Sequence, residues 1–276
     1  MNTKTSVPKP IRRSALRKRA GKQFYRLKRR IKWLRESKNY ASTTVIDSLS
    51  HLIFEHKSML LRPLQGVDMI YQKNKITNLS LAISKINGLV IQPGEVFSLW
   101  YLVGNPTASR GYLPGLVLES GKVSYGVGGG LCQLGNLLYW MVLHTDLEVV
   151  ERWRHGYDVF PDVNRKIPFG AGATLAFNHV DLMLRNNSKN ATQIKLWLTE
   201  THLHGAIYSD TPKKASYEVI EKNHQFTQEW WGGYVRHNEI WRVAKTGEDE
   251  RTEELVTQNH AIMMYNPLIQ ASGEAT

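Results

Sequence analysis

Cys132 is the single cysteine of the chain, and it sits in an unusual run: Gly128-Gly129-Gly130-Leu131-Cys132-Gln133-Leu134-Gly135-Asn136. Three consecutive glycines are costly in chain entropy, so special dihedrals or a close backbone approach are expected there. The stretch Leu131 to His144 is strongly apolar, lacks proline and reads as a buried helix. Cys132 then lies at the positive end of that helix, which lowers a thiol pKa and favours the nucleophilic thiolate. Unpaired amides of Gly128, Gly129 and Gly130, with Gln133 beside them, would receive an oxyanion in acyl transfer or amide hydrolysis. A thiol nucleophile also needs a base and a group that orients it. His155, next to Gly156 at the end of an expected strand, fits the base. Asp158 is the first candidate orienter, with Asp162, Asn178 and Asp181 as alternatives. Papain-like, transglutaminase-like and peptidoglycan-peptidase folds share the order Cys, His, carboxylate, although order alone is a weak analogy.

The same residues have plainer readings. A lone cysteine is commonly a small buried hydrophobe, a triple glycine lets a helix pack closely, and His155 could be structural. A third reading keeps the cleft without the chemistry, with glycine amides holding a ligand and Arg110 or Arg152 taking its carboxylate. Glu151 and Arg152 also suit a structural ion pair. His202 and His204 share one side of a strand, but no third ligand stands at a telling spacing. The cluster Trp230-Trp231-Gly232-Gly233-Tyr234 suits a hairpin, or a sugar-stacking surface. Neither a phosphate-binding loop nor a dinucleotide fingerprint is present, so kinase and dehydrogenase readings lack support; no cofactor is expected and, with no third ligand for the histidine pair, no metal.

The elements that must position these residues follow from periodicity. Helices are expected over Asp47 to Leu60, stopped by Pro63, over Asn74 to Asn87, and over Leu131 to His144. Leu89 to Ile91 reads as a buried strand, and Leu116 to Glu119 and Lys122 to Tyr125 as a hairpin around Ser120-Gly121. Strands dominate afterwards: Leu147 to Trp153, Ala173 to Phe177, Val180 to Leu184, Gln193 to Leu198, Leu203 to Tyr208, Tyr217 to Ile220 and Tyr234 to Val243. Gly247 to Glu254 reads as an acidic turn. Helices early and antiparallel-looking strands late make an α+β fold, with a helical first half on a largely antiparallel sheet.

Charge divides the 276 residues unevenly. Residues 1–38 hold fifteen Lys/Arg and one acid, a net of +14, while the remainder carries −2. The pI of 9.7 therefore describes an arm and not the body, which disfavours a nucleic-acid binder using its whole surface. Three parts are expected: a basic amphipathic arm (1–38), an α+β domain (39–245) and a C-terminal extension packing on it (246–276). In the arm, Leu16, Ala20, Phe24, Leu27, Ile31 and Leu34 recur every three or four residues, on one face of a helix. Residues 12–35 thus suit an anionic membrane surface, a nucleic-acid backbone, or docking on the protein's own body. With one cysteine, no apolar run of membrane-spanning length and no secretory-type start, a cytoplasmic protein is expected, peripheral on the membrane if the arm binds lipid.

Beyond these readings, several segments in a specific order resemble the VanW family. They are Asn87-Gly88, Ile91-Gln92-Pro93-Gly94-Glu95-Val96-Phe97-Ser98, Val103-Gly104, Gly111-Tyr112, Gly128-Gly129-Gly130-Leu131-Cys132-Gln133, and Glu151-Arg152 with His155. The resemblance covers residues 70–200, and the flanks, including Lys75 to Ile83, are similar to short members from vancomycin B-type resistance clusters. It implies a bacterial accessory role in glycopeptide resistance, alongside genes that remodel the D-Ala-D-Ala terminus of peptidoglycan precursors. The implied partner is a cell-wall precursor or peptide. Longer members carry an Asp in a Pro-Gly-x-Asp-Ala-like segment; here the corresponding stretch is Pro168-Phe169-Gly170-Ala171-Gly172-Ala173-Thr174, with glycine at the Asp position.

Overall fold

In the computed structural model of the chain, the described residues are 7–9, 11, 13–61, 68–119, 121–159, 167–247 and 250–267. Asp162, Pro63 and Ser120 lie outside them. The fold is α+β. Helix α1 (Ala15–Arg35) precedes strand β1 (His51–Met59) and helix α2 (Met69–Ile83). Strands β2 (Leu89–Ile91) and β3 (Val96–Ser98), short helix α3 (Leu99–Val103) and the hairpin β4 (Pro114–Glu119) and β5 (Lys122–Val127) follow. Helix α4 (Cys132–Val142) leads to β6 (Glu148–Glu151), β7 (Tyr157–Asp158), β8 (Met183–Arg185), β9 (Thr192–Leu198) and β10 (His202–Ser209). Three long strands complete the order: β11 (Ser216–Gln228), β12 (Tyr234–Thr246) and β13 (Glu250–Met263).

The described residues form four sheets, ordered β1-β10-β9-β2, β11-β12-β13-β7, β3-β8-β6 and β4-β5. Among the described residues, every pairing between these strands is antiparallel except β13 with β7, and one isolated parallel bridge joins Tyr40 to Val96. Helix α4 forms because Leu134, Leu137, Leu138, Met141 and Val142 share one stripe, and all five are buried in the main core. The stripe seats on the first sheet at Gly205 of β10, where a Cβ would stand 2.6 Å from the Met141 methyl. Asp68 caps α2, its carboxylate accepting from the Ile70 amide at 2.9 Å. The arm's helix α1 contributes no fully buried residue.

Three expectations require correction. Residues 51–59, expected as part of a helix, form β1, paired with β10 from His51 opposite Ser209 to Met59 opposite His202. Its apolar positions satisfy a helical period, but Glu55, Lys57 and Met59 face outward in alternation, and the β10 edge supplies the backbone partners. Ala173 to Phe177 is irregular, tied by the Thr174 amide to the Trp153 carbonyl and by one bridge from Ala176 to Val180. The acidic segment expected as a turn instead opens β13, which pairs with β12 from Thr246 opposite Glu250 to Val235 opposite Ile262.

Candidate functional site

Cys132 is the first residue of α4, as the glycine run suggests, but burial opposes the activation that a helix start would give its thiol. The residue as a whole is partly exposed, yet its sulfur is packed deeply enough that burial pushes the thiol above its ordinary range. Desolvation outweighs the opposing pull of the Leu175 carbonyl and the residue's own backbone. The sulfur donates to the Leu175 carbonyl at 3.8 Å. The expected glycine cradle is also spent. The amides of Gly128, Gly129 and Gly130 donate to the carbonyls of Leu113, Gly126 and Leu116 at 3.0, 3.0 and 2.9 Å. Gln133 Nε2 donates to Ser58 Oγ at 2.9 Å and to the Met59 carbonyl at 2.8 Å, locking α4 to the end of β1. What the glycines provide is close packing. A Cβ on Gly115 would lie 2.5 Å from the Gly129 carbonyl oxygen, so the hairpin and the loop touch backbone to backbone.

The histidine and its proposed orienter are equally uncoupled. His155 is partly buried, desolvation lowers its pKa, and among the described residues it makes no hydrogen bond, with Cys132 or any other group. Asp158 is engaged by other groups. The carboxylate is buried against Arg236 at 3.4 Å and accepts from the Tyr265 hydroxyl at 2.9 Å. Asn178 occupies a left-handed turn position (φ 69°), with both side-chain polar atoms buried and unpartnered.

Asp181 is committed to the β3–α3 junction. It accepts from Ser98 Oγ at 2.5 Å and from the amides of Trp100 and Leu182 at 3.1 and 2.9 Å. Complete burial nevertheless pushes its carboxyl up to about 6. The unfolded chain releases that proton near pH 4 (roughly 3.9), so the native state holds the extra proton between there and about 6. Stability therefore declines as pH rises through that window and is level above it. Asp181→Asn keeps an oxygen for the two amides and an amide for Ser98 while removing the proton. Relative to this variant, wild type should lose about 3 kcal/mol between pH ~3.5 and ~6.5. Urea midpoints of both proteins across this range test it; parallel curves would contradict it.

The arginines divide. Arg110, expected to hold a ligand carboxylate, instead donates to the carbonyls of Asn105 and Val103 at 2.8 and 2.9 Å and shapes its own loop. Arg152 stacks over the Tyr139 ring, 4.6 Å from its centroid. It donates to the Gly172 carbonyl at 2.7 Å and to that of Gly170 and has no carboxylate partner among the described residues, so no Glu151–Arg152 pair forms. Glu151 instead pairs with Arg29 of α1 at 2.5 Å. Two residues along, Arg154 donates one N–H to the His260 carbonyl at 3.1 Å, while its Nη1 is buried with no acceptor among the described residues. Burial lowers both guanidinium pKa values, and Arg152 repels Arg154. Thr174, bonded through its amide to the Trp153 carbonyl between them, has a buried hydroxyl with no partner. Sequence reading passed over Arg154. The signal was its place two residues from Arg152 in an extended segment, which puts both on one side.

The family described as VanW like protein matches residues 74–208. The chain is also 37% identical over 195 residues to the vancomycin B-type resistance protein VanW of Enterococcus faecalis (strain ATCC 700802 / V583), covering 71% of each chain. The chain belongs to the VanW family. A further relative, the uncharacterized protein YoaR of Bacillus subtilis (strain 168), is 32% identical over 114 residues, 41% of this chain and 36% of YoaR. No solved structure matches. The VanW-matched segment runs from within α2 to within β10 and contains Cys132, Arg152, Arg154 and His155. Helix α1 and strands β11 to β13 lie outside it, so His260 reaches Arg154, and Arg236 reaches Asp158, from beyond the matched region.

Proposed function

We propose that this VanW-family chain is an accessory protein of glycopeptide resistance that binds an anionic cell-wall precursor without covalent chemistry. The resistance assignment comes from its likeness to the vancomycin B-type resistance protein. One observation carries the binding reading: among the described residues, two neighbouring, largely buried arginines have no carboxylate partner, and Arg154 keeps an N–H with no acceptor there. Burying a charge without a counter-ion is costly, and a bound carboxylate or phosphate removes that cost. Two parts of a precursor have this chemistry, the carboxylate of the peptide stem and the phosphates of the lipid-linked form. A buried thiol with no imidazole partner and a glycine loop with no free amide argue against the acyl-transfer alternative.

Arg154→Met separates binding from scaffolding. Removing an unpaired buried charge should raise the melting temperature of the free protein, while affinity falls at least tenfold. Calorimetric titration with a D-Ala-D-Ala pentapeptide and with inorganic pyrophosphate distinguishes the two anion sources. Cys132→Ala should leave binding unchanged. A variant at Arg154 that loses stability and keeps affinity would overturn the reading. Thiol labelling of the native protein at neutral pH that slows in His155→Ala would restore the enzyme.

A further inference from the structure

Helix α1 is mounted the wrong way round for a helix that serves its own core. Amphipathic surface helices turn the apolar stripe inward. Here Leu16, Ala20, Phe24, Leu27, Ile31 and Leu34 cover roughly 80° of the helix circumference, and all six are exposed. Leu16 and Leu34, at the two ends of the stripe, are 79% and 78% exposed, and Phe24 between them 62%. The body is held by the opposite side. Arg29 pairs with Glu151 at 2.5 Å and donates to Met183 Sδ at 3.1 Å. Arg26 donates to the Phe177 carbonyl at 3.4 Å and lies over that ring, 5.6 Å from its centroid. Trp33 packs edge-on against Tyr101. The apolar stripe is thus held outward by polar and aromatic anchors, and docking on the body leaves it uncovered.

Its occupant follows from the charge beside it. Arg17, Lys28 and Arg35 border one edge of the stripe and Arg19 and Arg30 the other, all exposed and without an ion pair among the described residues. Residues 1–38 carry a net +14. A second copy laid against this face would bring two such helices together, against strong like-charge repulsion. A nucleic acid would neutralise the cations and leave the leucines in water. Only a surface with acidic headgroups above an apolar interior satisfies both halves, and no described helix is long and apolar enough to cross a bilayer. We infer that α1 lies flat on an anionic lipid bilayer, its six apolar residues sunk to the headgroup boundary and its arginines among the phosphates. The inference is independent of the precursor-binding reading.

The test uses the full chain and vesicles of phosphatidylcholine with 25% phosphatidylglycerol, compared with phosphatidylcholine alone. Wild type should co-sediment with the anionic vesicles only. The double substitution Leu27→Glu and Ile31→Glu, on exposed positions that leave the body unchanged, should lower the partition coefficient at least tenfold with an unaltered circular dichroism spectrum. Equal partition of the variant and wild type would overturn insertion through the stripe. Sedimentation velocity showing a wild-type dimer that the substitutions convert to monomer would overturn it in favour of a second copy. Lipid-independent retention of wild type on RNA, unaffected by the substitutions, would overturn it in favour of nucleic acid.

Discussion

Gly129→Ala should destabilise the protein by about 3 kcal/mol or more, the upper end for an overpacked site. A methyl on Gly129 would fall on the Gly115 backbone, well inside van der Waals contact, and both partners are main chain. No side-chain rotation relieves the overlap. The β4–β5 hairpin would have to move away from the loop before α4, breaking the Gly130 amide bond to the Leu116 carbonyl and the Asn78 bond to the Gly129 carbonyl, each 2.9 Å. Gly115→Ala should cost a comparable amount, and the two should add to less than their sum because either one already parts the surfaces. Guanidinium denaturation of the three variants measures this. A Gly129→Ala protein as stable as wild type, with labelling of Cys132 unchanged, would contradict the packing role.

Asp158→Ala should cost about 3–5 kcal/mol. Its carboxylate and the Arg236 guanidinium are 4% and 5% exposed, so the substitution deprives a buried cation of an anionic neighbour. The 2.9 Å hydrogen bond from the Tyr265 hydroxyl is lost as well. Asp158 belongs to β7 and Arg236 to β12, and the pair fastens the VanW-matched segment to the strands outside it. Thermal denaturation provides the readout, and a shift of under 2 °C would refute the assignment. Had Asp158 served as an orienter of His155, its loss would impair chemistry and spare the fold.

Local features were legible in the sequence. The α4 stripe from Leu134 to Val142, the hairpin and the position of Cys132 at a helix start depend on residues close in the chain. The chemical state of that cysteine was not legible, because Leu175, forty-three residues on, meets the sulfur. The glycine amides likewise read as free until Leu113 and Leu116 supply carbonyls. For residues 51–59 the helical spacing of Leu52, Ile53, His56 and Met59 was real, but the unpaired edge of β10 decided the outcome. The periodicity of α1 was correct in every position. Which side would face the protein depended on Glu151 and Phe177, far along the chain.

The parallel pairing of β7 with β13, Tyr157 with Ile262 and Asp158 with Met263, sets an order of events during synthesis. β7 leaves the ribosome well before its partner, with β8 to β12 translated in between. Until β13 emerges, β12 offers a long unsatisfied edge and β7 has no neighbour. A ribosome stalled between β12 and β13 would therefore expose a nascent chain prone to intermolecular strand pairing, a natural client for a chaperone.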